Sequence, residues 1–440
     1  MFTFVLAGEG GTSRLHYDPH ASLLTGEEGR SVDLGRVGFG YVESPIESVR
    51  AAIVGPSRPL PKGGAARRIK IQLGLACNLA CAYCSQSGQE SDGGGGTLEV
   101  ESFLDRLPSW FDGGDNGKGL GVRFEFWGGE PFVHWKKLRR LAPAIRSLYP
   151  DAQFGIVTNG SLLDEEKIDF LDRLGFGVGI SHDGPGQAVR GLDPFADPRK
   201  AVPLLALYRR LAPQGRISFN CVLHRNNHVL PEIRAWFVER TGDPDVPVVT
   251  EELVLPATPG GLALSPANEA EHRELRRHLF EGMTHWEGLC WSTVNGKISG
   301  FFRSLAERRS SGSLGQKCRM DRPDHLAVDL SGNLLTCQNV SASLEGGRHR
   351  LGSVERICEA RLTAATHWSL REECPRCPVV QLCAGSCMFL EGSLWRRACD
   401  NAFTYNLAVL AASLWFLTGM RLVGIEGDPI RRDGITSIDF

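Results

Sequence analysis

Cys77, Cys81 and Cys84 follow a strand-like run in the spacing CxxxCxxC, which constrains the chain more than any other stretch. Three thiolates on one tight loop can face three irons of a cubane and leave the fourth iron without a protein ligand. That open position is what a metal needs to act on a small molecule. A structural zinc would want a fourth ligand. The next histidine, His134, stands about fifty residues on, so zinc completed by a distant ligand is the alternative reading. Ten of the 13 cysteines in the 440 residues fall in two spaced sets. Thiols stay reduced in the cytosol, so this clustering points to metal, not to disulfides. Cys221, Cys290 and Cys358 stand alone and are expected to be small buried hydrophobes.

The rest of the chain reads as an ordinary soluble globular protein, expected to be cytoplasmic. It is 42% hydrophobic and 23% charged. A formal net charge of −2 gives no electrostatic footprint for nucleic acid or an anionic membrane. The opening MFTFVLAGEGG has no basic region before its apolar stretch and no cleavage-type exit, so no targeting segment is expected. No apolar run reaches the roughly 18–20 residues of a membrane span. Leu407–Leu417 is too short and reads as a buried helix.

Residues 1–66 form a small, β-rich N-terminal segment broken by turns. From Arg67, strands and helices alternate. The strands fall at Arg68–Leu75, Val122–Trp127, Phe154–Thr158, Gly177–Ser181, Ile217–Leu223 and Glu252–Leu255. The helices between them fall at Leu98–Phe111, Trp135–Tyr149, Asp164–Leu174, Lys200–Leu211 and Leu230–Arg240. This pattern means a parallel sheet with crossover helices, an α/β fold of the partial (β/α)6 TIM-type barrel kind, with its chemistry at the C-terminal strand ends. The barrel is expected over 67–265, a charged helical bridge over 266–317 and a cysteine- and loop-rich domain over 318–400. A hydrophobic helix, Asn406–Leu417, and a polar tail fill 401–440. The glycine runs at 93–96 and 112–121 lack a following GK[ST] helix start and read as flexible loops, not phosphate cradles.

The first cysteine set, with Tyr83 before its last member, resembles the signature of the radical S-adenosylmethionine (SAM) superfamily. The resemblance implies a 4Fe–4S cluster on Cys77, Cys81 and Cys84 whose open iron chelates SAM. Electron transfer to SAM then yields methionine and a 5′-deoxyadenosyl radical that takes a hydrogen atom from substrate. Two more stretches agree. Trp127-Gly128-Gly129-Glu130-Pro131, ending the next strand, is similar to the family's GGEP loop, which binds the SAM amino group. Ser181-His182-Asp183-Gly184-Pro185 resembles the SLDGP loop of one branch, in which Ser181 and the later Arg190 would contact SAM. His182, standing where that branch has Leu, is structural or faces substrate, and Thr158-Asn159-Gly160 reads as a strand-ending turn.

The second set reads Cys318, Gly332-xxxx-Cys337, Cys374-xx-Cys377-xxxxx-Cys383-xxx-Cys387 and Cys399. It resembles the SPASM domain of radical SAM enzymes, with two zinc ribbons as the alternative. The resemblance implies two auxiliary 4Fe–4S clusters, three in all. The outer one would sit on Cys374, Cys377, Cys383 and Cys399. The inner one would sit on Cys318, Cys337 and Cys387, with Cys290 or an open iron as its fourth position.

SPASM enzymes mostly modify peptides. The expected function is therefore a maturase that crosslinks or oxidises side chains of a ribosomally made precursor peptide, fed by a flavodoxin- or ferredoxin-type electron donor. Sulfatase maturases carry an Asp base after the second SPASM cysteine. Gln338 holds that position here and cannot take a proton, so a formylglycine maturase is the alternative. A radical SAM enzyme acting on a small molecule and a non-catalytic zinc scaffold are the other readings. The catalytic acid or base is not identifiable from sequence.

Overall fold

The computed structural model describes residues 1–43, 51–63, 65–89, 96–285 and 292–427. Alternation sets the first elements. In β1 (Phe2–Gly8) every second residue is buried, and a two-residue turn returns the chain as β2 (Gly11–Asp18), followed by β3 (Leu23–Thr25). A two-residue strand, β4 (Leu60–Pro61), precedes the central sheet.

The strand–helix repeat then runs β5 (Arg68–Gln72), α1 (Thr97–Trp110), β6 (Arg123–Trp127), α2 (Trp135–Leu148), β7 (Gln153–Thr158) and α3 (Glu165–Arg173). It continues with β8 (Phe176–Ser181), α4 (Pro198–Leu211), β9 (Ile217–Leu223), α5 (Leu230–Thr241) and β10 (Val248–Leu253). The helices start where their caps lie: Asp164 accepts from Lys167 N, and Asp197 from Arg199 N. All neighbouring pairs from β5 to β10 are parallel and in sequence order. The α/β parallel array expected from sequence is therefore present. An aromatic core, including Phe124, Phe126, Phe154, Phe176 and Phe219, fills it.

Beyond β10 come α6 (Pro259–Leu264), α7 (Glu269–Thr284) and α8 (Ser292–Ala306). The cysteine-rich stretch then departs from its loop-rich expectation. β11 (His325–Asp329) pairs in parallel with β5, and β12 (Asn333–Leu335) and β13 (Arg350–Ser353) extend the same sheet antiparallel, giving nine strands. β14 (Arg361–Leu362) pairs with β4.

Three other expectations need correction. The last barrel strand begins at Val248, not Glu252, because a backbone irregularity described below breaks its alternation. The hydrophobic helix is longer than expected: α9 runs Gly392–Thr418 and contains Cys399, with its sides covered by α7, α8 and β10. The polar tail begins as β15 (Arg421–Glu426), which pairs antiparallel with β1 and completes a four-stranded sheet.

The glycine-rich 112–121 stretch folds back through Gly119 N–H to Gly113 O (2.6 Å) and Asp115 N–H to Leu120 O (3.2 Å). The 93–95 part of the other run lies outside the described residues. Cys221 is fully buried as expected, whereas Cys358, in a surface turn, is exposed. Among the described residues no helix is long and apolar enough to cross a membrane.

Candidate active site

The C-terminal ends of β5 to β10 border one cavity of about 770 Å³. Cys77, Cys81 and Cys84 lie on its rim, on the loop that leaves β5. The backbone holds that loop through Ala82 N–H to Val189 O (2.8 Å) and Cys84 N–H to Cys81 O (3.1 Å), while Leu79 N–H points at Cys77 Sγ (3.4 Å).

The Gly128–Gly129 pair explains how the next loop fits. A Cβ at Gly128 would lie 2.4 Å from Gly74 O, and one at Gly129 would lie 2.3 Å from Ala76 O. Only glycine allows that approach. With it, Gly129 N–H reaches Gly74 O (3.0 Å) and Glu130 N–H reaches Ala76 O (3.0 Å). The glycines thus bring this loop against the backbone of the cysteine loop, a role the ligand-centred expectation missed.

Glu130 is 1% exposed, and its carboxylate is largely occupied by its own chain. Oε1 accepts from Thr158 Oγ1 (2.7 Å) and Phe132 N (3.1 Å), and Oε2 accepts from Asn159 N (2.8 Å). Burial raises its pKa against those hydrogen bonds. Asn159 Nδ2 donates to Asn78 Oδ1 (2.9 Å), and Asn78 Nδ2 to Ser161 Oγ (2.8 Å). Thr158-Asn159-Gly160 is therefore the tie between the glycine loop and the cysteine loop. Pro131 follows as the buried first residue of a 3₁₀ turn.

Ser181, Tyr83 and Arg190 border the same cavity. Tyr83 Oη donates to Asp183 Oδ2 (2.6 Å), Arg190 donates to Tyr83 Oη (2.6 Å), and Asp183 Oδ1 accepts from Val222 N (3.0 Å). Arg190 Nε is buried with no hydrogen-bond partner among the described residues, and the guanidinium charge acts on Cys81. His182 is fully buried. Its Nδ1 accepts from Gly184 N (2.9 Å), its Nε2 meets Asp193 Oδ1 (2.9 Å), and its ring stacks on Trp236. It is structural.

The seven later cysteines border two different cavities. Cys318, Cys337 and Cys387 border the large cavity. Cys374, Cys377, Cys383 and Cys399 converge on a second cavity of about 30 Å³, lined otherwise by apolar groups such as Val380, Trp395 and Phe403. Cys290 lies outside the described residues. Burial pushes Cys318 and Cys383 up to about 11 and Cys337 up to about 12. As isolated thiolates in these places they would be costly, and a bound metal ion removes that cost by deprotonating a coordinating thiol outright. The donor set therefore fits iron–sulfur groups.

Two acids and a lysine on the cavity wall escaped the sequence reading. Glu251 and Glu252 end β10, and Lys317 precedes Cys318. Glu252 lies between Lys297 Nζ (2.7 Å) and Lys317 Nζ (3.0 Å), which hold its carboxyl down at about 2 despite burial. The available signal was two adjacent acids inside an apolar strand.

Residues 71–228 match the Radical SAM superfamily. Over 370 residues the chain is 24% identical to the serine-type anaerobic sulfatase-maturating enzyme of Klebsiella aerogenes, covering 77% of this chain and 84% of that one. Its fold is similar to that of native anSMEcpe with bound AdoMet, with a TM-score of 0.57, 20% identity, and coverage of 80% and 99% of the two chains. The form of that protein with AdoMet and the Cp18Cys peptide gives a TM-score of 0.55 at 20% identity, covering 79% and 99%. Residues 71–228 therefore carry a radical SAM domain.

Proposed function

We propose that the protein is a radical SAM maturase that crosslinks or oxidises side chains of a ribosomally made precursor peptide. One observation carries the reading: a single cavity is bordered by Cys77, Cys81 and Cys84 and also by Cys318, Cys337 and Cys387. A peptide side chain entering it would share one space with a radical source and an electron acceptor. At about 770 Å³ the space is large enough for SAM and a side chain together, given that ligand pockets run from roughly 300 to 1,000 Å³.

In this reading Cys77, Cys81 and Cys84 would hold the SAM-binding 4Fe–4S cluster, and Cys318, Cys337 and Cys387 an inner auxiliary cluster. Cys374, Cys377, Cys383 and Cys399 would hold an outer one. Bound SAM supplies a 5′-deoxyadenosyl radical that abstracts hydrogen. The chain's own part is to position and exclude. Gly128, Gly129 and Pro131 would shape the SAM amino-group site, with Glu130 bracing it from behind, while Ser181, Tyr83 and Arg190 would close the opposite side. Arg190 suits a carboxylate because its guanidinium binds one bidentately. A flavodoxin- or ferredoxin-type donor would supply the electron. Reduced cysteines and iron–sulfur groups suit a reducing compartment.

A formylglycine maturase is the second reading. It is favoured by the likeness to the Klebsiella sulfatase-maturating enzyme and opposed by Gln338, which borders the cavity and is no base. The deciding experiment is an anaerobic reaction of reconstituted enzyme, SAM and reductant with any short peptide encoded beside the gene. A crosslinked product two hydrogens lighter, with fragment ions missing between the joined residues, is expected. A hydrazide-reactive product with a complete fragment ladder would overturn the crosslinking reading.

A further inference from the structure

We propose that Glu251 is the catalytic base, the group that takes a proton from the peptide as its new bond closes. The proposal rests on the peptide-modifying reading above.

Among the described residues three carboxylates border the large cavity: those of Glu130, Glu251 and Glu252. Glu130 already accepts three hydrogen bonds from its own chain. Glu252 is held between two lysines. Glu251 makes no hydrogen bond and no ion pair among the described residues. It is the carboxylate left open to a substrate.

Its placement follows from the backbone. Thr250 pairs with Cys221 and Leu253 with Leu223, so Glu251 and Glu252 together oppose the single Val222, and Glu252 adopts a φ of 65°. This is a β-bulge, a device that re-aims side chains and is over-represented beside active sites. A non-glycine residue at positive φ is strained and persists only where its surroundings hold it. Here they do. Thr250 N–H donates to Thr293 Oγ1 (3.1 Å), Thr250 Oγ1 meets Tyr405 Oη (3.1 Å), and both lysines grip Glu252. Two helices and an ion-pair triad thus hold one acid inward and the next on the cavity wall.

Glu251 is accessible to water-sized groups from the cavity but enclosed by protein at longer range. Burial therefore raises its pKa, helped by Asp183, against the pull of Lys317, Arg190 and Lys70. A base works best when its pKa is brought towards the operating pH.

The reaction balances with Glu251 in this role. One hydrogen atom passes from a substrate C–H to the deoxyadenosyl radical that SAM supplies. The carbon radical then couples to the atom Y of a neighbouring Y–H group. The Y–H proton goes to the Glu251 carboxylate, and the oxidised iron–sulfur group that Cys318, Cys337 and Cys387 would hold would supply the acceptor for the surplus electron. One C–H and one Y–H bond are lost and one C–Y bond is gained.

The test uses reconstituted enzyme, SAM, dithionite and any short peptide encoded beside the gene. It reads coupled product per 5′-deoxyadenosine released. Glu251→Gln should lower that ratio about a hundredfold, with partial recovery in Glu251→Asp. A wild-type ratio in Glu251→Gln overturns the proposal. So does an equal fall in product and 5′-deoxyadenosine, which would assign Glu251 to SAM binding or to the fold. Should Glu251→Gln lose its iron, the ratio is read on Glu251→Asp, whose shorter arm should lower it; a wild-type ratio there overturns the proposal. If the wild-type enzyme leaves the peptide unchanged, the crosslinking reading falls. The same ratio is then measured on a synthetic peptide spanning the modified Cys or Ser of a sulfatase, whose oxidation also releases a proton. Turnover of neither peptide overturns the base as well.

Discussion

Trp127 Nε1 donates a 2.8 Å hydrogen bond to Asn339 Oδ1. Trp127 ends β6 just before the Gly128–Gly129 pair, and Asn339 stands two residues past Cys337. Gln72 Nε2 reaches Gln338 O and Val340 O (3.0 Å each), and Gln89 joins both Asn339 O (2.8 Å) and Ser341 N (2.8 Å). The stretch after Cys337 is thereby clamped to the ends of β5 and β6, so the two cysteine groups of the cavity share one frame.

That clamp should be measurable. Trp127→Phe leaves Asn339 Oδ1 without its donor, a loss of about 1–3 kcal/mol where the group stays buried. A double-mutant cycle of Trp127→Phe with Asn339→Ala should return a coupling of about 0.5–1.5 kcal/mol in denaturant melts. Strict additivity would mean that water replaces the bond.

Glu130 is predicted to act on SAM through its neighbours. Glu130→Ala removes the acceptor for Thr158, Asn159 and Phe132 at once. Several kilocalories of stability should go with them, since a hydrogen bond to a charged group contributes about 1.5–3 kcal/mol. Calorimetry should show weaker SAM binding with iron content retained. Glu130→Gln should lie between Ala and wild type in both. Full SAM affinity in a destabilised Glu130→Ala protein would separate the loop from the SAM site.

Replacing Cys77, Cys81 and Cys84 together with Ala should remove one cubane's worth of iron and sulfide and abolish 5′-deoxyadenosine formation, leaving the auxiliary iron. Replacing Cys374, Cys377, Cys383 and Cys399 should remove a different cluster's worth. Elemental analysis of anaerobic protein reads both, and 5′-deoxyadenosine from the first variant would contradict the assignment.

His367 supplies a pH prediction. It is 1% exposed, caps the Trp368–Leu370 turn by accepting from Ser369 N (3.2 Å), and burial pushes its pKa down to about 4 from 6.5. Between those values the unfolded chain binds a proton that the folded chain refuses. Stability is therefore intact above pH 6.5 and falls as the pH drops towards 4, by up to roughly 1.4 kcal/mol per pH unit for one such group. His367→Asn keeps a capping acceptor and loses the titration. Its melting temperature should change less than that of wild type across this window. Parallel curves for the two proteins would remove His367 from the account.

What was legible in the sequence is what local pattern encodes. Ile217–Leu223 stands as a strand at the residues expected, because alternation and flanking turns define it without help. Cys77, Cys81 and Cys84 were legible as one group because their spacing puts all three on one loop, whereas the grouping of the later cysteines was only what the resemblance implied. Pairings between distant segments were not. Nothing in His325–Asp329 announces β5 as its neighbour, and nothing in Arg421–Glu426 announces β1. The bulge at Glu251–Glu252 was hidden for a related reason: it breaks the very alternation by which a strand is recognised. Asp183 looked like part of a turn motif, and only the fold shows it beneath both Tyr83 and Arg190.

The pairing of β15 with β1 also sets an order of events in the cell. Arg14, on β2, meets Glu426, 412 residues later in sequence. A ribosome adding about 5–20 residues per second delivers β1 and β2 long before their last partner. Until then the edge of β1 is an unpaired strand, the kind of surface that recruits other chains. The four-stranded sheet is thus a clasp that shuts only once β15 has been made, and a nascent chain stalled before Arg421 would be the form most prone to aggregate.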